Sequence, residues 1–442
     1  MEFLPNIIFI VLLLSTIIVF TSRVKMIRRN ILLGTEENRS DRKNERWSKM
    51  FRVAVGQSKM IKKPISGALH IIVYVGFVLI NIEVLEIIID GILGTHRVFA
   101  EYLGVAYDVL IGTFEILAIG VLLACVIFLA RRLSKRVKRF SGVEMTSWPK
   151  SDANIILLIE IALMSAFLMM NAADLQLQSI GYDGYIEAGA YPISGMLVPL
   201  MGMFDGHALV VIERSCWWFH IVGILGFLIY LPFSKHFHII LAFPNVFYSK
   251  LDAKGRLSNM GSVQEQVKMM MDPNVDPYAA PDPNAPVPKA FGARDVTDLT
   301  WKSIMDGYTC TECGRCTDEC PANQTGKLLS PRKIMMDVRD RVEEVGRNID
   351  KNGKDADDGK SLLYDFITPE ELWACTSCNA CVEACPVNND PLAVIIDLRR
   401  FLVMEKSEAP MELNTVFGNI ENNGAPWAFP AADRINWANE ED

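Results

Sequence analysis

The sequence is poor in histidine and lacks the motifs by which the common soluble enzymes are recognised. Six histidines occur in 442 residues, and the net charge is -8 although some segments are basic. This acidic balance argues against nucleic acid as a partner. A dinucleotide-binding glycine fingerprint, a flavin motif and a nucleophile with a neighbouring base are absent. We therefore expect the chemistry of the chain to reside in bound cofactors.

Cysteine is rare outside two short runs near the carboxyl end. Eight of the ten cysteines stand in two copies of the pattern CxxCxxCxxxCP, the spacing with which bacterial-type ferredoxins hold 4Fe-4S clusters. In two-cluster ferredoxins the fourth cysteine of each run ligates the other cluster. The predicted ligands are Cys310, Cys313, Cys316 and Cys385 for the first cluster, and Cys375, Cys378, Cys381 and Cys320 for the second.

Zinc and disulfide bonds are the alternative interpretations of the two cysteine runs. Zinc sites usually combine two CxxC pairs or include histidine, and neither run has a histidine nearby. Disulfides are rare in the cytoplasm, where the topology described next places this part of the chain. Both alternatives are therefore disfavoured.

The first half of the chain is predicted to cross a membrane five times. A helix needs roughly 20 apolar residues to span a hydrocarbon core of about 30 Å. Lysine and arginine are concentrated between spans one and two and between spans three and four, which places these segments on the cytoplasmic side. We expect a bacterial inner-membrane protein with its amino terminus outside and its carboxyl half in the cytoplasm. The predicted spans are residues 4–20, 68–89, 109–130, 155–170 and 217–238.

The sequence predicts an all-α protein, with a five-helix transmembrane bundle followed by a small helical ferredoxin domain. Thr368 and Pro369 mark a helix start within that domain. In the tail, Trp427, Phe429 and Trp437 suggest docking to a partner protein, because aromatic anchors dominate interfaces. The predicted parts are a transmembrane haem domain (1–245), an extended proline-rich linker (246–292), the two-cluster domain (293–405) and the tail (406–442).

Histidines at the ends of two spans are candidate haem ligands. His220 and His238 are eighteen residues apart, so on one continuous helix they would share a face about 27 Å apart, whereas His236 would point away from it. Spans two and five run in opposite directions, which puts His70 at the depth of His238. Two facing imidazoles in a helical bundle suit a b-type haem. The alternative is that each histidine binds lipid headgroups or backbone.

The segment from His220 to Pro244 resembles the last span of the nitrate reductase gamma subunit family, a five-helix dihaem cytochrome b that oxidises quinol. The resemblance rests on two histidines separated by eighteen residues around a Pro-Phe-Ser-basic step. It implies that His70 and His238 hold the haem on the cytoplasmic side.

The second haem of that family depends on a histidine that this sequence does not have. The family pairs a residue matching His220 with a histidine at the position that is Ile80 here. A second haem would therefore need His96 or His207 as the partner of His220.

Carboxylates within the predicted spans are candidates for proton exchange with a quinone. Charged groups at such depth are costly and usually functional. Glu83, Glu115 and Glu160 are the candidates. Glu86 and Asp90 lie near the outer end of the second span, where facing an aqueous rim is an equally good explanation.

The carboxyl half resembles the small iron-sulfur subunit of heterodisulfide reductase. The resemblance rests on Cys310–Cys316, on residues 326–332 and on Cys375–Cys381. With the membrane half, the chain is similar to the membrane iron-sulfur oxidoreductases that include electron-transfer-flavoprotein:menaquinone oxidoreductase. Longer relatives continue into a domain with CCG cysteine motifs, which do not occur here. The resemblance thus implies a separate CCG-domain or flavoprotein subunit as a cytoplasmic partner.

These inferences combine into one functional hypothesis. The chain would be the membrane-bound electron-transfer subunit of a quinone-linked oxidoreductase, passing electrons between a cytoplasmic partner, two 4Fe-4S clusters, haem b and menaquinone. Cluster potentials vary over hundreds of millivolts, so only the analogy favours flow towards the quinone. Two alternatives stay open: a haem-free membrane anchor for a ferredoxin module, and a redox-sensing membrane protein.

Overall fold

A computed structural model describes residues 3–134, 137–274, 290–354 and 356–439. Across these ranges the regular structure is helical without strands, so the predicted all-α class is confirmed. The membrane half contains α1 (Leu4–Ile31), α2 (Lys43–Met50), α3 (Pro64–Leu93), α4 (Val98–Leu103), α5 (Val105–Leu133), α6 (Ser147–Ser179), α7 (Val198–Met201), α8 (Gly206–Tyr230) and α9 (His238–Phe247).

The carboxyl half consists of shorter helices. They are α10 (Gly261–Met271), α11 (Trp301–Thr309), α12 (Arg315–Asp318), α13 (Pro321–Gln324), α14 (Pro331–Asn352), α15 (Leu362–Asp365), α16 (Pro369–Trp373), α17 (Ala380–Ala384), α18 (Pro391–Met404), α19 (Met411–Asn423) and α20 (Asn436–Asn439). Thr368 and Glu371 form a reciprocal capping box at the start of α16, as Thr368 and Pro369 predicted. Residues 275–289, which contain five of the six prolines of the predicted linker, lie outside the described residues, and α10 occupies part of the remainder.

Within the described part of the chain, five helices are long and apolar enough to cross a membrane: α1, α3, α5, α6 and α8 together with the turn that ends at Phe233. They pack in the order α1, α3, α5, α6, α8, and α8 returns to contact α1. Large apolar side chains such as Ile7, Val11 and Ile18 of α1 are exposed, whereas Thr16 and Asn30 are buried. Apolar residues outside and polar residues inside are what a lipid environment favours.

The fifth membrane helix differs from its prediction in one important way. α8 ends at Tyr230, and turns of 3-10 helix at Leu231–Phe233 and Lys235–Phe237 separate it from α9. The cause lies in Pro232, which lacks an amide donor, and in Ser234, which is extended and whose side chain caps the next turn. The assumption that His220 and His238 share one continuous helix is therefore wrong.

The ferredoxin half is packed tightly against one end of the bundle, the end at which α1 finishes and α3 begins. One hydrophobic core contains Ile27, Ile31, Leu231 and Phe237 of the membrane half together with residues of α11, α14 and α18. Thr35 also exchanges backbone hydrogen bonds with the 299–301 segment just before α11. The two halves thus share a core rather than being merely tethered, which fixes the cysteine runs relative to the membrane helices.

Candidate metal and cofactor sites

The first predicted cluster site is assembled from both cysteine runs. A cavity is lined by three cysteines of the first run and by the last cysteine of the second. These residues are Cys310, Cys313, Cys316 and Cys385. The structure therefore brings together the same four thiols that the ferredoxin spacing assigned to the first cluster.

The second predicted site has the complementary composition. A cavity is lined by Cys320 and by three cysteines of the second run, Cys375, Cys378 and Cys381. Cys378 is exposed, whereas Cys320 and Cys381 are buried. The second site thus reaches the protein surface at one ligand.

The backbone of the two runs has the same unusual shape. Glu312 and Ser377, each two residues after the first cysteine of its run, are left-handed, and so are Gly314 and Asn379 two residues later. Alternation between right-handed and left-handed residues turns successive N–H groups towards one side and forms anion-binding concavities, including those of iron-sulfur sites. Accordingly, the Ser377 N–H donates to Cys375 Sγ at 3.4 Å.

The cavity environments suit thiolates that are bound to a metal. Burial raises the pKa of the Cys310 thiol to about 12 and that of Cys385 to about 11, because a thiolate is poorly solvated there. A coordinated metal supplies the compensating positive charge and deprotonates the thiol outright. The Asn389 N–H donates to Cys385 Sγ at 3.3 Å, and such hydrogen bonds tune cluster potentials.

The alternative interpretations of the cysteine runs gain no support from the geometry. All ten cysteines are free thiols. Within the described ranges, no three Cys, His, Asp or Glu side chains are grouped as ligands of a metal ion. The eight cysteines of the two runs line two cavities.

His70 and His238 lie together at the end of the bundle that faces the ferredoxin half. His70 is in the second turn of α3, His238 begins α9, and their ring centroids are 6.5 Å apart with an angle of 40° between the planes. Two imidazoles on opposite sides of one metal, each about 2.0–2.1 Å away through nitrogen, would have centroids about 6 Å apart. The observed separation would allow both rings to hold one metal between them.

The hydrogen bonding of the two rings also fits metal ligation. His238 donates its Nδ1 proton to the Lys235 carbonyl oxygen at 3.0 Å, which leaves the Nε2 lone pair free. Metal-binding histidines typically donate their other ring N–H in this way. His70 has a buried Nδ1 atom without a hydrogen-bond partner in the described residues, so its ring is not committed elsewhere.

His236 is a neighbour of the pair that sequence reasoning missed. Its ring lies 5.6 Å from that of His238 and 5.3 Å from Phe227. Burial, with His238 and His70 nearby, lowers the pKa of His236 to about 3, so it is neutral at ordinary pH. The prediction that His236 points away is wrong, because the helix on which it rested is interrupted at Pro232.

His220 is isolated from the other histidines. It is buried in α8, donates Nδ1–H to the Leu163 carbonyl at 3.0 Å and packs on Phe167. His96 instead contacts Asp174 and Tyr185, and Asp174 is about 16 Å along α6 from Leu163. His207 is exposed at the start of α8. The structure therefore brings neither proposed substitute to His220.

The buried carboxylates differ in whether their oxygens accept hydrogen bonds. Glu115 is held through both oxygens, by Asn171 at 3.2 Å and by the amides of Ile193 and Ser194 at 2.9 and 3.1 Å. These hydrogen bonds stabilise the buried carboxylate, so its burial needs no functional explanation. In contrast, the Oε2 atom of Glu83 is buried without a hydrogen-bond partner in the described residues.

The remaining carboxylates of the spans have distinct surroundings. Glu86 accepts hydrogen bonds from Tyr107 and from the Phe99 amide, each at 2.9 Å. Asp90 accepts from the Arg97 amide at 2.8 Å and holds the loop that follows α3. Glu160 is half-buried on α6. Glu86 and Asp90 are thus part of a buried network, not of the aqueous rim that was one explanation for them.

Arg97 is the centre of this network at the far end of the bundle. Its guanidinium donates to Asp174 at 2.5 Å, to Asn171 at 2.9 Å and to the Tyr107 hydroxyl at 3.1 Å. Asn171 in turn donates to Glu115. Polar groups therefore extend from mid-bundle to the end remote from the ferredoxin half.

The first cluster site lies against the near ends of the membrane helices. Lys59 donates to the Cys385 carbonyl at 3.1 Å, and Arg315 donates to the Lys59 carbonyl at 3.1 Å. The first cluster site thus lies against the segment that leads into α3, the helix that carries His70.

A buried ion-pair network joins the first cluster site to the segment just before His238. Glu312, between Cys310 and Cys313, accepts hydrogen bonds from Lys235 and from Arg339, the latter at 2.7 Å. Burial opposes ionisation of Glu312, but Arg339 and Lys235 lower its pKa below the ordinary value. Neither contact was predicted, because both join residues far apart in the sequence.

Comparison with known proteins supports the iron-sulfur assignment. Residues 309–389 match the 4Fe-4S dicluster domain family. The probable iron-sulfur-binding oxidoreductase FadF of Bacillus subtilis is 28% identical over 98% of this chain and 60% of its own length. The EtfAB:quinone oxidoreductase of Syntrophomonas wolfei is 26% identical over 93% of this chain and 56% of its own length.

A further relative matches a shorter part of the chain at higher identity. It is one of the subunits of the ferredoxin/F(420)H(2)-dependent CoB-CoM heterodisulfide reductase of Methanosarcina acetivorans, 33% identical over 26% of this chain and 56% of its own length. No solved structure matches the chain. The chain spans less than two thirds of the length of the FadF and EtfAB:quinone oxidoreductase relatives. Its relatives are iron-sulfur oxidoreductases, and all eight clustered cysteines fall within the matched dicluster segment.

Proposed function

We propose that this chain is the electron-transfer subunit of a quinone-linked membrane oxidoreductase. It would hold two 4Fe-4S clusters at the cytoplasmic face of a bacterial inner membrane and one haem b between His70 and His238. Residues 1–245 would form the haem domain and residues 293–405 the cluster domain. The clusters and the haem, when bound, exchange single electrons.

The order of the three candidate sites is the observation that carries this proposal. The second cysteine site reaches the surface at Cys378. The first site is lined by cysteines from both runs and lies against Lys59 and Arg315. The His70–His238 pair follows at the membrane end. Such an array would connect a soluble partner to the membrane interior.

The protein residues have defined tasks in this scheme. The cysteines would ligate the clusters, and the N–H groups of Ser377 and Asn389 donate to the sulfur atoms of Cys375 and Cys385. His238 is held in one tautomer by the Lys235 carbonyl. Because the shared core is continuous across both halves, the sites keep a fixed separation.

Glu83 is the best candidate for proton exchange with a quinone. Its buried Oε2 has no hydrogen-bond partner in the described residues, so that atom is free to gain or release a proton. Glu115 has both oxygens engaged and therefore ranks lower, and Glu160 remains a second candidate. Menaquinone is the proposed quinone, by the resemblance alone.

The relatives' names suggest where a partner would bind. One relative is named for EtfAB and quinone, and another is part of heterodisulfide reductase. We propose a CCG-domain or flavoprotein partner on the cytoplasmic side, near Cys378 and the tail. In the tail, Trp427, Phe429 and Trp437 are exposed, which is consistent with docking. Electron flow towards the quinone is the favoured direction.

A haem-free membrane anchor for a ferredoxin module is the second candidate function. The probable membrane-anchored ferredoxin of Chromohalobacter salexigens is 31% identical over 36% of this chain, which favours this alternative. A haem-free anchor explains the cysteine sites and the membrane helices, but it gives the imidazole pair no function.

A reduced-minus-oxidised absorption spectrum of the purified chain separates the two candidates. We expect a b-type α-band in the wild type that is lost in His70→Ala and in His238→Ala. His207→Ala is the matched control, because His207 is an exposed histidine far from the pair. Absence of the band from the wild-type chain after expression with haem supply would favour the anchor.

A further inference from the structure

Lys235 contacts both the imidazole pair and the first cysteine site. It stands in the break between α8 and α9, three residues before His238. Its backbone carbonyl accepts the Nδ1 proton of His238. Its side chain points the other way, into the ferredoxin half, where it contacts Glu312.

The position of the Lys235 side chain is fixed by several partners. The ammonium donates to the Glu312 carboxylate and to the Pro149 carbonyl, the latter at 2.7 Å. Asp152 lies 3.8 Å from the ammonium and also accepts from the Lys235 amide at 3.1 Å. The side chain is 9% exposed and that of Glu312 is 2% exposed. A lysine held in this way cannot change rotamer freely.

Glu312 in turn belongs to the loop that forms the first cysteine site. It lies between Cys310 and Cys313, in a left-handed conformation with φ of 52°. Its other oxygen accepts from Arg339 of α14. The loop is therefore held from two sides, by α14 and by the membrane half.

We propose that Lys235 is a positioning residue that couples the orientation of the His238 ring to the position of the loop between Cys310 and Cys313. For the haem this inference rests on the proposed function, whereas for the loop it rests on the contacts alone. A membrane helix that continued unbroken would place its carbonyl oxygens in intrahelical hydrogen bonds. In the 3-10 turn after the break at Pro232, the Lys235 carbonyl also accepts from the His238 ring, and the Lys235 side chain extends towards the cluster loop.

The test compares Lys235→Met with Lys63→Met in the full-length chain. Lys63 also joins the membrane half to a cysteine run, through Glu319 at 2.9 Å, but both side chains are more than two-fifths exposed. Exposed pairs contribute little to stability, so Lys63→Met is the matched control. Lys235→Met keeps the length of the side chain, and Arg339 still neutralises Glu312, which favours folding of the variant.

Hydrogen-deuterium exchange of the 310–316 peptide is the readout that does not involve haem. We expect faster exchange in Lys235→Met and wild-type exchange in Lys63→Met, with Lys235→Arg restoring protection because it keeps the charge. Unchanged exchange in Lys235→Met would overturn the proposal.

The haem readout is measured on the same proteins. We expect Lys235→Met to shift the low-spin ferric EPR signal and to weaken haem retention by roughly tenfold, the lower end of the range for outer-shell changes. The carbonyl of residue 235 is kept in this variant, but the side-chain contacts that hold it in position are lost. Faster loop exchange with an unaltered EPR signal would overturn the coupling to His238. A wild-type chain that binds no haem would instead refute the proposed function, while the exchange result would still decide the loop contact.

Discussion

At the scale of single residues, the eight clustered cysteines have different roles according to which cavity they line. Cys385 belongs to the second run in the sequence but lines the cavity of the first, and Cys320 does the reverse. This grouping matches the spacing rule for two-cluster ferredoxins, and cluster ligation by these residues stays a prediction. Sequence alone could suggest the grouping because the pattern CxxCxxCxxxCP is short, local and specific.

The exchange of the fourth cysteines is testable by pairwise comparison of serine variants. We expect Cys385→Ser to alter the same cluster EPR signal as Cys313→Ser, and Cys320→Ser to alter the same signal as Cys378→Ser. The reason is that each pair lines one cavity. Cys125→Ser, a buried cysteine of α5, should leave both signals unchanged. If Cys385→Ser altered the same signal as Cys378→Ser instead, the assignment would be contradicted.

Gly314 shows how a single residue shapes the first cluster loop. Its φ is +71°, and an added Cβ would lie 2.5 Å from Arg332 Nη1. We expect Gly314→Ala to lower the thermal midpoint and cluster content, because a left-handed alanine costs about 1–2 kcal/mol and the clash adds to it. Gly326→Ala is the control, with φ of +83° and open space around its Cβ. Equal losses in both variants would show that the contact with Arg332 is unimportant.

At the scale of elements, hydropathy located the five membrane helices well but not their ends. The fourth span was predicted over residues 155–170, whereas α6 covers Ser147–Ser179. Both ends of α6 carry polar residues that a hydropathy window excludes, although the helix continues through them. The helical break after Tyr230 was also missed, because the apolar pattern continues across Pro232. That break explains the unexpected position of His236.

The short break between α8 and α9 is expected to contribute to local stability and to haem binding. Ser234 accepts a hydrogen bond from the His236 amide at 3.1 Å through its side chain. We expect Ser234→Ala to destabilise this turn by about 0.5–2 kcal/mol, the usual range for loss of a cap, and to reduce haem content. Ser165→Ala is the control, because Ser165 only returns a bond to its own helix at Ile161. The haem absorbance of the purified variants is the measurement, and equal haem content would contradict the role of the turn.

At the scale of the whole molecule, the contact between the two halves could not be predicted from sequence. Its main polar contacts, such as Lys235 with Glu312 and Arg332 with Glu144, join residues that are far apart in the chain. Such pairing depends on tertiary packing, which no local pattern encodes. The consequence is that the order of sites became visible only in the structure, although each site was predicted separately.

The contact of Glu144 with Arg332 predicts a pH dependence of docking between the two halves. Burial opposes ionisation of Glu144, but Arg332 and Ser330 lower its pKa below the ordinary value. A carboxylate with a depressed pKa stabilises the folded state fully above its unfolded pKa of about 4.3, and this stabilisation is lost as the pH falls through the folded value. We therefore expect the thermal midpoint to decrease when the pH is lowered below about 4.

Glu144→Gln isolates this contribution. It leaves the buried Arg332 guanidinium without its counter-charge, which typically costs about 3–5 kcal/mol, and it removes the titrating group. We expect a lower thermal midpoint at neutral pH and a weaker fall on acidification. Glu45→Gln, at an exposed ion pair with Arg42, is the control. An acid dependence that is unchanged in Glu144→Gln would show that another group controls docking.

The cofactor content of the anaerobically purified chain tests the central claim most directly. Two 4Fe-4S clusters and one haem b predict about eight sulfides and about nine irons per chain, together with one haem b by pyridine haemochrome analysis. About eight irons without haem would contradict the imidazole pair as a haem site. A sulfide content of about half the expected eight per chain, in a protein with both cysteine runs intact, would contradict the two-cluster arrangement itself.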